Sequence, residues 1–332
     1  MGVRGASLYI NDVYGDVRFD PNFDKLTGFK TKAIICVPLL YKGKLLGAIQ
    51  AINPITKKAF DDDDMILFKA FANQAVLAVQ NAIFFQNALE EERIKYELSS
   101  ATSVQKSLLP VVNNKYNNVQ IATRTISANE VGSEFYDIFH FNDNSIGVAL
   151  GDIHTKGIPG AIYASIVSGA VKGISRVCGE NPSKLLKLTN EVVKSNHENI
   201  SNVSLFYGVI NCDNRILQFV NAGIAYPILI RNGVARYLKF ENKSLEKEIE
   251  LPKRVKVILE PDDFFVIITD GIVNIRNRGA KHLGLKRIMD LLGGEFKNPE
   301  EVIDSLIKLG DDFADGLEKR EDISVIAFHI ED

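Results

Sequence analysis

Four acidic residues lie at the ends of apolar, strand-like runs or in the turns beside them. They are Glu134 in V-G-S-E-F-Y-D, Asp152 in V-A-L-G-D-I-H-T-K-G, Asp270 in F-F-V-I-I-T-D-G and Asp322 in R-E-D-I-S-V-I-A-F. A carboxylate just beyond a buried strand has lost part of its water and needs a cation or hydrogen-bond donors to stay ionised. Several such carboxylates without basic neighbours would suit hard divalent cations, Mg²⁺ or Mn²⁺, which prefer oxygen ligands.

Each of these acids also has an ordinary structural interpretation. An Asp-Gly pair after a strand is commonly a turn, and an Asp at the start of a helix is commonly a cap. The order and local contexts of the four acids together are much more specific than any one of them.

The elements that must position these acids follow Pro110. Strand-like runs cover Val119–Thr125, Ser145–Leu150, Leu205–Asn211, Ile216–Asn221, Tyr226–Ile230, Lys256–Leu259, Phe264–Thr269 and Ile323–Ile330. Helical patterns cover Gly160–Val177, Pro182–Asn196, Lys286–Leu292 and Pro299–Phe313. Short turns between neighbouring strands favour antiparallel pairing, and the separate blocks of strands and helices predict an α+β fold.

The sequence before Pro110 has two parts. Short apolar runs up to about Pro54 predict strands, and Tyr41-Lys42-Gly43-Lys44 predicts a hairpin turn. From Asp61 to about Leu109 there is no Gly or Pro, and four acids open the segment, as at a helix N-terminus. One interpretation is a single helix about 70 Å long that could pair as a two-chain coiled coil. The other is a helix over Asp64–Phe85 followed by a solvated linker over Glu90–Ser103.

Composition narrows the class of protein. The chain has 332 residues with 42 acids and 39 bases, a net charge of −3 that argues against a strongly basic nucleic-acid binder. Three scattered cysteines form no C-x-x-C pair and favour a reducing compartment. The longest apolar run is about half of what a membrane helix needs, and no secretion signal opens the chain. We therefore predict a cytoplasmic protein without a membrane segment.

The segment from about Ser103 to Asp332 resembles a branch of the metal-dependent protein phosphatase 2C family, that of sporulation stage II protein E and bacterial sigma-factor regulators. The motifs that carry the resemblance are Q-K-S-L-L-P, V-G-S-E-F-Y-D, G-D-I-H-T-K-G, N-A-G-I-A-Y-P, L-E-P-D-D, T-D-G-I-V-N and E-D-I-S. They occur in the order and strand context of the family over some 230 residues. The resemblance implies a fold: an α/β/β/α sandwich of two mainly antiparallel sheets flanked by helices.

The resemblance also implies the chemistry. It makes Glu134, Asp152, Asp270 and Asp322 metal ligands for two Mn²⁺ or Mg²⁺ ions, with the backbone carbonyl of Ile153 as a further ligand. Asp152 and Asp270 would be the catalytic residues, and a water activated by the two metal ions would attack the phosphoryl group. The implied activity is a protein serine/threonine phosphatase acting on a regulatory protein, in the family an anti-sigma-factor antagonist.

Four positions depart from the family pattern. Glu134 replaces an Asp, Ser133 a Gly, Ile224 a His and Asn274 a Glu. A positive φ at Ser133 would be costly. These departures motivate a competing hypothesis, a phosphatase-fold module that binds a phosphoprotein but hydrolyses it weakly or not at all. His154, within an acidic motif, is interpreted as an exposed loop residue.

Residues Ser7 to about Leu89 resemble the second half of a GAF domain, a small-ligand sensor. The resemblance rests on G-K-L-L-G-A-I-Q-A-I-N-P, A-F-D-D-D-D and the helix with A-V-Q-N-A. A complete GAF domain has further elements ahead of this segment, so we expect a shortened module. The predicted organisation is a partial GAF-like domain over 1–89, a helical linker over 90–110 and a phosphatase-like domain over 111–332. The GAF-like sensor would control the phosphatase-like domain through the linker helix, and two chains would form a homodimer by pairing this helix. The alternative is that the N-terminal region only dimerises.

Overall fold

The structure, a computed structural model, describes residues 5–110, 115–195, 202–224, 227–239, 243–245, 253–318 and 320–331. The chain divides into two units, Met1–Tyr96 and Glu97–Asp332. This boundary falls inside the predicted linker 90–110.

The first unit contains a three-stranded antiparallel sheet in the order β1-β2-β3, formed by Leu8–Ile10, Ile34–Tyr41 and Lys44–Ile52. A short 3₁₀ turn, Val13–Gly15, and helix α1, Asn22–Thr27, connect β1 to β2. Lys42 and Gly43 both have positive φ, 46° and 81°, as a two-residue hairpin turn requires. The predicted hairpin is therefore confirmed.

Helix α2 runs without interruption from Asp62 to Leu108, 47 residues. At its start the Asp61 and Asp64 side chains accept hydrogen bonds from each other's backbone N–H, at 3.1 and 3.0 Å. This reciprocal cap stabilises the first turn, where negative charge is favourable. The single-helix interpretation is confirmed, and the solvated linker over Glu90–Ser103 is wrong because that segment is helical throughout.

The second unit contains two antiparallel sheets. One has the strand order β11-β10-β13-β14-β5-β4 and the other β12-β9-β8-β7-β6. In chain order the strands are β4 (Lys115–Tyr116), β5 (Val119–Ile126), β6 (Glu134–Asn142), β7 (Ser145–Ile153), β8 (Val203–Asn211), β9 (Ile216–Ala222), β10 (Ile228–Arg231), β11 (Val234–Tyr237), β12 (Val255–Ile258), β13 (Phe264–Ile268) and β14 (Ile323–Ile330).

Helices cover the outer face of each sheet. They are α3 (Gly157–Cys178), α4 (Pro182–Ser195), α5 (Asp270–Val273), α6 (Gly284–Leu292) and α7 (Pro299–Ala314). Val167 of α3 and Leu185 of α4 share an apolar cluster with β7 and β8, and Leu292 of α6 and Leu306 of α7 share another with β13 and β14. The expected α/β/β/α sandwich is confirmed.

The core between the two sheets is aromatic and aliphatic. Phe206 of β8 lies against Phe219 of β9 and Phe265 of β13, with ring centroids 5.1 and 6.5 Å apart, and all three side chains are fully buried or nearly so. Alternate residues of each strand face this layer, as in any two-sheet packing. The resulting rigid pair of sheets fixes the strand ends that carry the acids.

Strand β6 is the longest strand that the strand-like runs did not predict; they also missed the short strands β4 and β11. Its sequence, E-F-Y-D-I-F-H-F-N, begins with an acid and contains a second one, Asp137, that is 3% exposed. The Lys172 ammonium lies 3.4 Å from the Asp137 carboxylate and compensates part of its burial. In the sequence, a strand that begins with an acid two residues after a glycine resembles a turn. Only the pairing with its partner strand identifies it as a strand.

Within the described part of the chain, two helices are long and apolar enough to span a membrane by length and composition alone: Asp62–Leu108 and Gly157–Cys178. Helices of soluble cores meet the same criterion, and α3 buries Ala164, Val167 and Val171 against its sheet. The absence of a membrane segment stays a prediction.

Candidate active site

The four predicted acids come from the same end of the two sheets. Glu134 opens β6 and Asp152 is the penultimate residue of β7, and these two residues are direct cross-strand partners. Directly opposed side chains in an antiparallel pair lie on the same face, with Cβ atoms about 5 Å apart. The register between β6 and β7 therefore brings the first two carboxylates together.

The other two acids come from neighbouring strands of the second sheet. Asp270 follows β13 and opens α5, and Asp322 immediately precedes β14. The Thr269 N–H donates to the Ser324 carbonyl at 3.1 Å, and the Ser324 N–H donates back to the Thr269 hydroxyl at 2.9 Å. A Cβ at Gly271 would lie 1.8 Å from the Asp322 carbonyl oxygen, so the T-D-G and E-D-I-S motifs are in direct contact and this position requires glycine.

All four acids line one cavity of about 140 Å³, the acidic pocket. Its remaining walls are Asn129, Val131, Ser133, Ile153, His154, Lys156, Gly157, Gly271, Asn274, Arg320 and Glu321. The structure thus brings together every predicted site residue, including Ile153. Their roles as ligands and as a catalytic pair stay predictions.

Three of the carboxyls are held in an unfavourable environment for charge. Burial, the charge of Asp152 and the charge of Asp322 raise the pKa of Glu134 well above its ordinary value, against the lowering effect of the Ser324 and Thr269 hydroxyls. Burial chiefly, with Asp270 and Asp322, raises the pKa of Asp152 to about 6. Burial raises the pKa of Asp270. Such a group of desolvated acids in a cleft is typical of a functional site.

Asp322 is held differently. Its Oδ1 accepts from the Ala128 N–H at 2.8 Å, and its Oδ2 accepts from the Ser133 N–H at 2.6 Å and from the Ser133 hydroxyl at 3.2 Å. Ser133 avoids positive φ, so the strain that a side chain could have caused there does not arise. Instead its hydroxyl adds a donor to the acid that ties β14 to the loop before β6.

Two observations bear on whether these residues fit divalent cations. The donor set consists of carboxylate oxygens, and the buried Oε2 of Glu134 has no hydrogen-bond partner, which is costly unless a cation compensates it. Among the described residues, however, no three His, Cys, Asp or Glu side chains are arranged as a group that could hold one ion. The carboxylate oxygens therefore suit divalent cations chemically, while both oxygens of Asp322 already accept hydrogen bonds from Ala128 and Ser133.

Three further residues that the sequence analysis singled out have different environments. His154 is exposed, as predicted, and its Nε2 lies 2.8 Å from the Ser204 hydroxyl. Asn274, a departure from the family pattern, donates to Glu321 at 2.9 Å on the pocket wall. Ile224, another departure from the family pattern, is 2% exposed and belongs to the core between the sheets.

The C-terminal end of α2 contacts the loop that leads into β6, a connection that the sequence did not predict. The Gln105 side-chain amide donates to the Gly132 carbonyl at 2.6 Å and accepts from the Gly132 N–H at 3.1 Å. The Thr102 hydroxyl donates to the Glu130 carbonyl. Gln105 belongs to the Q-K-S-L-L-P motif, so the motif was visible but its contact was not.

The two sheets with outer helices and the acidic pocket between their ends define a phosphatase-2C-type fold. A sequence profile of stage II sporulation protein E matches residues 142–331, more than half of the chain, and a GAF-domain profile matches residues 3–79. The chain therefore belongs to the stage II sporulation protein E family, with a GAF domain at its N-terminal side.

Individual proteins support this assignment. The chain is 24% identical over 267 residues to protein IcfG of Synechocystis and 25% identical over 230 residues to the phosphoserine phosphatase RsbU of Bacillus subtilis. These alignments cover 71% and 67% of this chain, but 42% of IcfG and 68% of RsbU. The PP2C domain of SiaA from Pseudomonas aeruginosa matches the fold with a TM-score of 0.64 and 18% identity, covering 74% of this chain and all of that domain.

Proposed function

We propose that this chain is a metal-dependent protein serine/threonine phosphatase that hydrolyses phosphoserine or phosphothreonine on a regulatory protein. The observation that carries the proposal is the acidic pocket, into which two sheets bring Glu134, Asp152, Asp270 and Asp322. RsbU, a relative over two thirds of the chain, is a phosphoserine phosphatase. Family membership and the desolvated carboxylates support the same chemistry.

The four carboxylates and the Ile153 carbonyl are the groups that would hold two Mn²⁺ or Mg²⁺ ions. RsbX, a protein of similar fold (TM-score 0.51), has been solved in complex with magnesium. When bound, a pair of such ions supplies a water of lowered pKa and neutralises phosphoryl oxygens.

The remaining chemistry belongs to the side chains of the pocket. Asp152 and Asp270, the proposed catalytic pair, line the pocket from different sheets. Together they would orient the attacking water. Lys156 lies on the rim, 3.5 Å from Glu321, where an exposed ammonium can attract the dianionic phosphoryl group of a substrate. No nucleophilic side chain is required, since water is the attacking group.

The competing proposal is a phosphatase-fold module that binds a phosphoprotein and hydrolyses it weakly or not at all. The observation that favours it is the state of Asp322, whose two oxygens accept three hydrogen bonds from the loop before β6. These three hydrogen bonds occupy three of the about four acceptor positions of the carboxylate, so Asp322 has less capacity left for a cation.

Regulation through α2 is part of the proposal. Besides the Gln105 contact, the Lys172 ammonium donates to the Leu108 carbonyl at 2.6 Å and lies beside Asp137. The Gln105 contact joins the end of α2 to the loop before β6, and Lys172 joins it to Asp137 within β6, the strand that Glu134 opens. A shift of α2 along or about its axis would therefore move a proposed metal ligand, which gives the GAF domain a mechanical route to the acidic pocket.

The substrate and the setting are proposed from the family. By relation to RsbU, the substrate would be a phosphorylated anti-sigma-factor antagonist in the cytoplasm. A homodimer through α2 is supported by the exposed apolar side chains of the helix, including Phe71, Phe85 and Leu89 at 59%, 66% and 50% exposure. Light scattering at micromolar concentration tests this dimer, and a monomer would contradict it.

The decisive assay measures phosphate release from a phosphoserine protein by the full chain with Mn²⁺ and with EDTA. We expect Mn²⁺-dependent release that Asp270→Asn abolishes. Calorimetric titration with Mn²⁺ separates the two proposals: binding at millimolar or lower concentration supports the enzyme, and the absence of such binding favours the binding module.

The regulatory step has its own variant. Gln105→Leu removes both hydrogen bonds to Gly132, and we expect a lower rate and weaker Mn²⁺ binding. Ser107→Ala is the matched control, because among the described residues the Ser107 hydroxyl bonds only within its own helix, to the Val104 carbonyl. Equal rates for both variants would contradict coupling through Gln105.

A further inference from the structure

A second, larger cavity opens directly from the acidic pocket. Its volume is about 970 Å³, against about 140 Å³ for the acidic pocket. The two cavities share five wall residues: Lys156, Gly271, Asn274, Arg320 and Glu321. The smaller cavity suits a phosphoryl group, while the larger is of the size that accommodates an extended segment of a partner.

The walls of the larger cavity are rich in cations, and we call it the basic cleft. Its basic residues are Lys156, Arg276, Arg278, His282 and Arg320, and its acidic residues are Glu318 and Glu321. The cleft therefore carries a net positive charge beside a pocket of acids, on a chain whose overall charge is −3.

The cations of the basic cleft differ in their internal partners. Arg278 is paired with Asp315 at 2.9 Å, and Lys156 has a long contact with Glu321. Arg276 is exposed, and within the described part of the chain no carboxylate lies in ion-pair range of it; the same holds for Arg320. These two guanidinium groups remain available for carboxylates of a partner.

Arg276 belongs to a tight loop that is already ordered. Ile275 and Leu283, both buried, anchor its ends, and the Leu283 N–H donates to the Ile275 carbonyl at 2.8 Å. Within the loop the Asn277 side chain accepts from the N–H groups of Gly279 and Lys281 at 3.0 and 3.1 Å. A preformed loop loses little backbone conformational entropy on binding, so ordering the loop subtracts little from the binding free energy of its charges.

From this geometry we propose that the basic cleft binds an acidic segment flanking the phosphorylated residue of a protein substrate, with Arg276 as a specificity-determining residue. This inference rests on the phosphatase function proposed above and names the chemistry of its substrate. A phosphoserine in the acidic pocket places the neighbouring residues of its chain at the shared wall of the two cavities. Glu or Asp there would meet Arg276 and Arg320.

The test uses two phosphoserine peptides of equal length that differ only in flanking residues, three Glu in one and three Gln in the other. The full chain is assayed with Mn²⁺ at about 50 mM salt. We expect kcat/KM for the acidic peptide to be about five- to tenfold higher, mainly through KM, and the preference to shrink at about 0.5 M salt because screening weakens exposed charge pairs.

Arg276→Glu should abolish or invert this preference, and the milder Arg276→Gln should reduce it. Arg236→Glu is the matched control, since Arg236 is an exposed arginine on β11 of the same unit and outside the cleft; it should keep the preference. Thermal unfolding of each variant verifies its fold. Equal kcat/KM for the two peptides, or equal loss in the Arg236 control, would overturn the inference.

Two further outcomes keep the inference separate from the proposed function. Hydrolysis of p-nitrophenyl phosphate by the unmodified chain measures the phosphatase reaction without involving the cleft. If this hydrolysis is absent, the proposed phosphatase function itself is wrong. Inhibition by a non-phosphorylated Glu-rich peptide supports the cleft, whereas stronger inhibition by a single-stranded oligonucleotide of equal charge would assign the cleft to nucleic acid and overturn the inference.

Discussion

Asp152→Asn should stabilise the metal-free protein while abolishing its phosphatase activity. Burial and the neighbouring acids raise the pKa of Asp152 from 3.8 to about 6. Each pKa unit corresponds to about 1.4 kcal/mol, so the charged form costs up to about 3 kcal/mol in the fold. For a unit of more than 200 residues this is an increase in Tm of up to roughly 10 °C when the charge is removed.

The pH dependence gives the prediction its sign. An acid whose pKa is higher in the folded than in the unfolded state adds stability below the unfolded value, near 4. That stability is lost as pH rises through the folded value, about 6. The variant should therefore match the unmodified chain near pH 4 and exceed it at pH 7 and above. Neutral Asn keeps the shape of the side chain, so packing changes little.

The assay is thermal unfolding in EDTA at pH 4, 5, 6 and 7.5, repeated with Mn²⁺. Asp143→Asn is the control, since Asp143 is exposed in the turn at the opposite end of the same β6–β7 hairpin, and it should leave Tm unchanged at every pH. Mn²⁺ should stabilise the unmodified chain more than Asp152→Asn, because a ligand stabilises the state that binds it. A variant less stable than the unmodified chain at pH 7.5, or an equal difference at pH 4, would refute the reasoning.

Two other substitutions test the contacts that hold the site. Gly271→Ala should lower phosphate release at least tenfold and reduce stability, because its Cβ would displace the start of β14; Gly169→Ala, with open space around it, should be neutral or slightly stabilising. Arg231→Met should cost about 3 kcal/mol in urea unfolding, because it leaves the Asp263 carboxylate buried at 1% exposure without its cation. The control Arg124→Met removes an exposed ion pair and should change stability by less than about 1 kcal/mol.

The sequence by itself determined the local elements. The absence of Gly and Pro between Asp61 and Leu109, with acids at its start, indicated a helix, because capping and helix propensity act within a few residues. Whether that helix ended near Phe85 or continued stayed open, and the structure has one helix of 47 residues. The apolar runs of β13 and β14 also predicted strands, since their residues are buried on both faces and the sequence there is almost continuously apolar. The four acids stood out because each follows or precedes such a run.

The tertiary structure decided the relations among these elements. The start of β6 resembles a turn until β7 places Asp152 opposite Glu134, a register set by pairing between strands. The same holds for the hydrogen bonds that engage Asp322 and for the Gln105 contact with Gly132, which join residues far apart in the chain. The basic cleft joins Lys156 to residues more than 100 positions later. Local sequence sets φ and ψ preferences, whereas burial and charge depend on neighbours that only the folded chain supplies.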